Sequence, residues 1–119
     1  MKRNLELVRK ILLAIERSEQ TQGTLSIEID GFDPETVSYQ VKLLAEARLI
    51  EANDLSTMYQ FEWKPRSLTW AGHEFLDAAR NDTVWNKTMT KLKDQATTVP
   101  FEVLKAVVMQ TFKEVFNVG

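Results

Sequence analysis

The chain contains no cysteine, a single histidine, three prolines and four glycines in 119 residues. Without cysteine there can be no disulfide framework, no thiolate metal site and no cysteine nucleophile. The lone His73 lacks the other soft ligands that zinc requires, and Glu74 beside it does not complete a set. No Gly-rich phosphate loop, nucleophile elbow or fixed-spacing acidic pair occurs. No apolar run approaches the ~18 residues of a membrane span. The start, Met1-Lys2-Arg3-Asn4, leads into mixed apolar and charged residues instead of a signal core. Asn81-Asp82-Thr83 and Asn86-Lys87-Thr88 fit a glycosylation pattern by chance. These absences predict a cytoplasmic chain with no catalytic residues, metal or other cofactor, and no membrane partner.

Positive charge is not in excess either: 15 Lys and Arg stand against 17 Asp and Glu, a formal net charge of −2. Phosphate neutralisation supplies most non-specific affinity for nucleic acid, so only a local basic patch could carry it here. What the chain does have is an ordinary globular balance, 44% hydrophobic and 27% charged, enough for one compact core without cross-links.

Periodicity divides that core into elements. Leu5, Val8, Ile11, Leu12 and Ile15 make one helical stripe from Asn4, the N-cap, to Ser18, with Leu7 and Leu13 widening it. Leu25-Ser26-Ile27-Glu28-Ile29 alternates strictly, predicting a half-buried strand with Leu25, Ile27 and Ile29 inward. Asp33-Pro34-Glu35 is a helix start: acidic cap, proline at the first position, glutamate behind it. That helix runs to Ala47, buries Val37, Val41 and Leu44, and turns Glu35, Ser38, Tyr39, Lys42 and Glu46 outward. Leu49 to Ala52 predicts a strand, Asn53 to Thr57 a turn, and Tyr59 to Trp63 a return strand with its aromatics on one face, ended or interrupted by Pro65.

Thr69 caps the next helix, with Phe75, Leu76 and Ala79 inward. Asn81-Asp82-Thr83 breaks it and caps another to Gln95, with Val84, Trp85, Met89 and Leu92. Pro100 opens a last helix to about Phe116. Phe101, Leu104, Val107, Val108, Phe112 and Val115, extended by Met109 and Phe116, give that helix an apolar arc wider than one core needs. Trp63, Trp70 and Trp85 read as core packing, and His73 as a buried or capping residue.

The order specifies an α+β fold: a winged-helix-like core of helix, strand, helix and hairpin wing over residues 1–80. Two further C-terminal helices, residues 81–119, pack on the same core and are a candidate dimerisation element. The stretch Val37-Ser38-Tyr39-Gln40-Val41-Lys42-Leu43-Leu44-Ala45-Glu46-Ala47-Arg48-Leu49-Ile50 resembles the recognition-helix segment of winged-helix regulators. Leu68-Thr69-Trp70-Ala71-Gly72-His73-Glu74-Phe75-Leu76 resembles the Leu-Thr-x-x-Gly-x-x-x-Leu pattern that follows their wing.

Most of the chain is similar to a family of short bacterial and prophage proteins catalogued as a domain of unknown function. The likeness lies in residues 1–12, the helix just quoted, and residues 68–88, including Asp82-Thr83-Val84-Trp85-Asn86-Lys87-Thr88. It implies a winged-helix-like fold and association with mobile elements. Two positions depart from the family: Arg48 stands where glycine is common, and Gln40 where histidine is. A left-handed Arg48 would be strained by about 1 kcal/mol.

Two functions fit. In the favoured one the chain is a small regulator that binds double-stranded DNA, with Ser38, Tyr39, Lys42, Lys64 and Arg66 as contacts. The segment Asp30–Asp33 is too short for the helix that normally braces a reader, and Glu35 and Glu46 flank the reading face. In the alternative, a protein-interaction module has kept the scaffold and lost DNA binding. Its homodimer or partner surface would be Phe101, Leu104, Val108, Phe112 and Phe116.

Overall fold

The computed structural model describes residues 2–18 and 23–117, in an α+β arrangement. Helix α1 is Leu5–Arg17, α2 is Pro34–Glu46, and a hairpin follows from β1 (Ile50–Asp54) and β2 (Trp63–Leu68). Then come α3 (Trp70–Ala79), α4 (Asp82–Leu92), a 3-10 turn at Lys93–Gln95, and α5 (Phe101–Phe116). Four helix starts are built as their sequences dictate. The side-chain oxygens of Asn4, Asp33, Thr69 and Asn81 accept from the backbone amides of Leu7, Thr36, Gly72 and Val84 at 2.7–3.1 Å.

The alternation at Leu25–Ile29 is real in burial, but among the described residues it forms no strand of the sheet, which has two strands only. The cause lies on the facing edge. The Pro65 carbonyl accepts from the Leu25 amide at 2.7 Å, but proline has no N–H to return. The next edge residue, Trp63, donates its N–H to Ser38 Oγ at 3.1 Å, and the Ser38 hydroxyl lies 3.4 Å from the Trp63 carbonyl. One donor is missing and the neighbouring pair is taken, so residues 24–29 run alongside as an extended segment.

The return strand also differs from expectation. It begins at Trp63 and passes through Pro65, whereas Tyr59–Glu62 belong to the loop. Pro65 is tolerated because it sits opposite Ala52, where its missing donor would point away from β1. Glu51 pairs with Ser67 and Ala52 with Pro65, leaving Arg66 as the extra residue of a β-bulge.

One hydrophobic cluster joins all five helices and the hairpin, with Leu7, Ile11, Leu12, Val41, Phe75, Leu76, Trp85, Leu104 and Val108 fully enclosed. Gln40 is buried with both amide atoms used: its nitrogen donates to the Lys2 carbonyl and its oxygen accepts from the Asn4 amide, both at 2.9 Å. Arg48 leaves α2 with φ 64°, the left-handed geometry that favours glycine. Gly72 lets α3 cross that turn: a Cβ there would lie 2.0 Å from the Leu49 carbonyl oxygen.

Of the three tryptophans, Trp85 is enclosed and donates to Glu6 at 3.2 Å, Trp63 is half-buried, and Trp70 is 81% exposed. Trp70 and the exposed His73 lie off the stripe of Gly72, Phe75, Leu76 and Ala79 that faces the core, so neither packs as the sequence predicts.

Candidate interaction surface

Helix α2 and the hairpin share one end of the molecule, and the five candidate DNA contacts lie there in three different environments. Ser38 is buried and its hydroxyl is engaged with Trp63, so it clamps α2 to β2. Tyr39 and Lys42 are half-buried on the outer side of α2. Asp54 is held below the ordinary carboxylate range, first by hydrogen bonds from Ser56 and more weakly by the Lys42 charge. Lys64 and the bulged Arg66 point to the opposite, outer face of the hairpin, beside Glu51, Asn53 and Ser67. Lys64 Nζ donates to Ser26 Oγ at 3.3 Å. The candidates are divided between two faces.

Carboxylates outnumber cations at this end. On α2 with its cap and exit and on the hairpin, Asp33, Glu35, Glu46, Glu51, Asp54 and Glu62 stand against Lys42, Arg48, Lys64 and Arg66. The whole-chain balance hides this because residues 2–17 and 80–113 carry most of the Lys and Arg. A windowed charge count, applied to the sequence, would have found it.

The loop at the hairpin's end is built by its own polar side chains. Leu55 N donates to the Glu62 carbonyl and Thr57 N to that of Gln60, both at 2.8 Å. Asp54 accepts from Ser56 N, Ser56 Oγ from Glu62 N, and Thr57 Oγ1 from the amides of Tyr59 and Gln60. Held on this framework, Met58 is 90% exposed and Tyr59 92% exposed. Tyr59, Gln60 and Phe61 line a shallow cleft with Asp33, Pro34 and Glu35. Reading Tyr59, Phe61 and Trp63 as one strand face concealed this tip.

The proposed partner surface on α5 is differently placed. Leu104 and Val108 are 2% and 0% exposed within the chain's own core, and Phe101 packs on Phe75 with ring centroids 5.4 Å apart. Phe112 and Phe116 pack together at 4.7 Å, and only Phe116 of the five is largely open to solvent. Beside this helix a cavity of about 300 Å³ is lined by Leu5, Val8, Leu43, Ala47, Phe75 and Phe101. Arg3 at its edge is fixed by the Thr97 and Val99 carbonyls.

Among the described residues no three His, Asp or Glu side chains are grouped to hold a metal ion, and no helix is long and apolar enough to cross a membrane.

Residues 2–98 match the family described as "Hypothetical protein (DUF2513)". The chain is also 46% identical over 108 residues to a protein of Haemophilus influenzae described as "Uncharacterized protein", a likeness covering 90% of this chain and 92% of that protein. No solved structure matches the chain.

Proposed function

The chain belongs to the DUF2513 family, and from that premise and the charge distribution we propose that it is a non-enzymatic protein-interaction module on a winged-helix-like scaffold. The order of helix, extended segment, helix, hairpin and helix supports the scaffold, with α2 in the reader's place and the hairpin as wing. Only a turn separates Ile29 from Pro34, so the helix that braces a reader across the DNA backbone is missing.

The observation that carries the reading is the charge of the end that would face DNA. Asp33, Glu35, Asp54 and Glu62 stand at the α2 start and the two ends of the hairpin loop, with no cation between Arg48 and Lys64, and they oppose a phosphate backbone and complement a protein surface instead. One observation favours a second reading, DNA contact from the outer face of the hairpin: Lys64 and the exposed Arg66 stand two residues apart on β2.

Fluorescence anisotropy with a mixed-sequence duplex, across a salt series, separates the two. The module reading expects no binding even at low salt. Affinity that falls steeply with salt and is lost on Lys64→Glu or Arg66→Glu would overturn it.

A further inference from the structure

The partner's chemistry can be read from the hairpin tip, on the premise that the chain is a protein-interaction module. Met58 and Tyr59 are large, and they stand almost wholly in solvent on a loop that hydrogen bonds hold in place. They bury nothing within their own chain. Leu55, 41% exposed, extends the apolar area at the foot of the same loop. Large apolar and aromatic side chains presented on an ordered loop act as interface anchors, because the loop backbone has little conformational entropy left to lose on docking.

The surroundings select what can receive them. Asp54 and Glu62 stand at the two ends of the loop, Asp33 and Glu35 line the cleft beside Tyr59, and no Lys, Arg or His lies between Arg48 and Lys64. A second copy presenting the same end would set like charges against each other. Nucleic acid and anionic lipid are opposed for the same reason. A cationic protein surface is attracted.

We infer that the hairpin tip docks Met58 and Tyr59 into an apolar cleft on a Lys- and Arg-rich protein surface, with Asp33, Glu35, Asp54 and Glu62 as the complementary rim. In such an arrangement the rim governs encounter rate and salt dependence, while the two anchors govern dissociation.

The test uses the full chain and two labelled synthetic peptides of equal length, one alternating lysine with leucine and phenylalanine, the other with glutamate in place of lysine. Anisotropy across a salt series is expected to show binding of the cationic peptide alone, weakening as salt rises. Met58→Ser with Tyr59→Ser should weaken binding about tenfold at every salt concentration. Glu35→Lys with Glu62→Lys should weaken it about tenfold at low salt and flatten the salt dependence. The four side chains lie on the surface or at its edge, and far-ultraviolet circular dichroism checks that both variants fold.

No binding of the cationic peptide at low salt, or equal binding of both peptides, would overturn the inference. Loss in the tip variant with no change in the charge-reversed one would also overturn it while leaving the module reading in place; DNA binding in the salt series would remove that reading itself. Sedimentation of the unliganded chain supplies a further check. A concentration-dependent mass that disappears in the tip variant would identify the occupant as a second copy and overturn the inference.

Discussion

Arg48 and Gly72 meet where α3 begins to cross the turn out of α2, and the backbone there asks opposite things of the two residues. Arg48 holds φ at 64°, where a Cβ crowds the following carbonyl at a cost of about 1 kcal/mol. Its side chain is exposed, so removing it sacrifices no packing. Arg48→Gly is therefore expected to stabilise the chain by up to about 1 kcal/mol, reduced somewhat by the added freedom of glycine in the unfolded state. A higher urea midpoint at unchanged slope would register it. Gly72 is the converse. A methyl group there would sit 2.0 Å from the Leu49 carbonyl oxygen, a backbone atom that cannot rotate aside. Thr69 fixes the same crossing, donating to the Arg48 carbonyl at 2.8 Å and accepting from Gly72 N. Gly72→Ala should cost about 3 kcal/mol, at the upper end for overpacking, in the same urea titration.

Among the elements, the join between α2 and β2 depends on one hydroxyl. Ser38 accepts the Trp63 amide in a part-buried site, and without it that donor has no partner among the described residues. Ser38→Ala is expected to cost about 1–3 kcal/mol, with faster amide exchange at Trp63 than at the ladder residue Lys64. Unchanged exchange at Trp63 would mean that the clamp does not hold the edge. This join also shows what the sequence could disclose. Helix starts were legible because a cap and its amide lie three residues apart, as at Asp33 and Thr36. The alternation of Leu25–Ile29 was legible as burial but not as pairing, since pairing depends on the N–H that Pro65 lacks and the one that Trp63 gives to Ser38, about 40 residues away. Ser38 read as a polar surface contact for the same reason: its partner is remote in sequence. Trp70 and Trp85 are alike in composition and opposite in burial, and the difference is their angle from the stripe of their own helices. On α5, the apolar arc was visible, but the part covered by α3 and α4 was not.

For the whole molecule, the question is whether residues 1–80 stand without the helices that follow. Asp82 and Trp85 of α4 are tied to α1 through Arg9, whose guanidinium also donates to the Ala79 and Arg80 carbonyls at the end of α3. Phe75 lies against Phe101, and Val84, Trp85, Leu92, Leu104 and Val108 are buried in the same cluster as Leu7, Ile11 and Leu12. Burying each such side chain is worth roughly 1.5–3 kcal/mol, so these five contribute on the order of 10 kcal/mol before ordering costs. The net stability of a small domain is itself only about 5–15 kcal/mol. Removing α4 and α5 would subtract most of that margin, expose the inward faces of Phe75, Leu76 and Ala79, and leave the buried part of Arg9 without its stacking partner. A fragment ending at Arg80 is accordingly expected to lack a cooperative urea transition and near-ultraviolet circular dichroism, while the full chain shows both, with the fluorescence of the enclosed Trp85 reporting its unfolding. A fragment that unfolds cooperatively would instead establish residues 1–80 as a domain in its own right, with α4 and α5 an appendage to it.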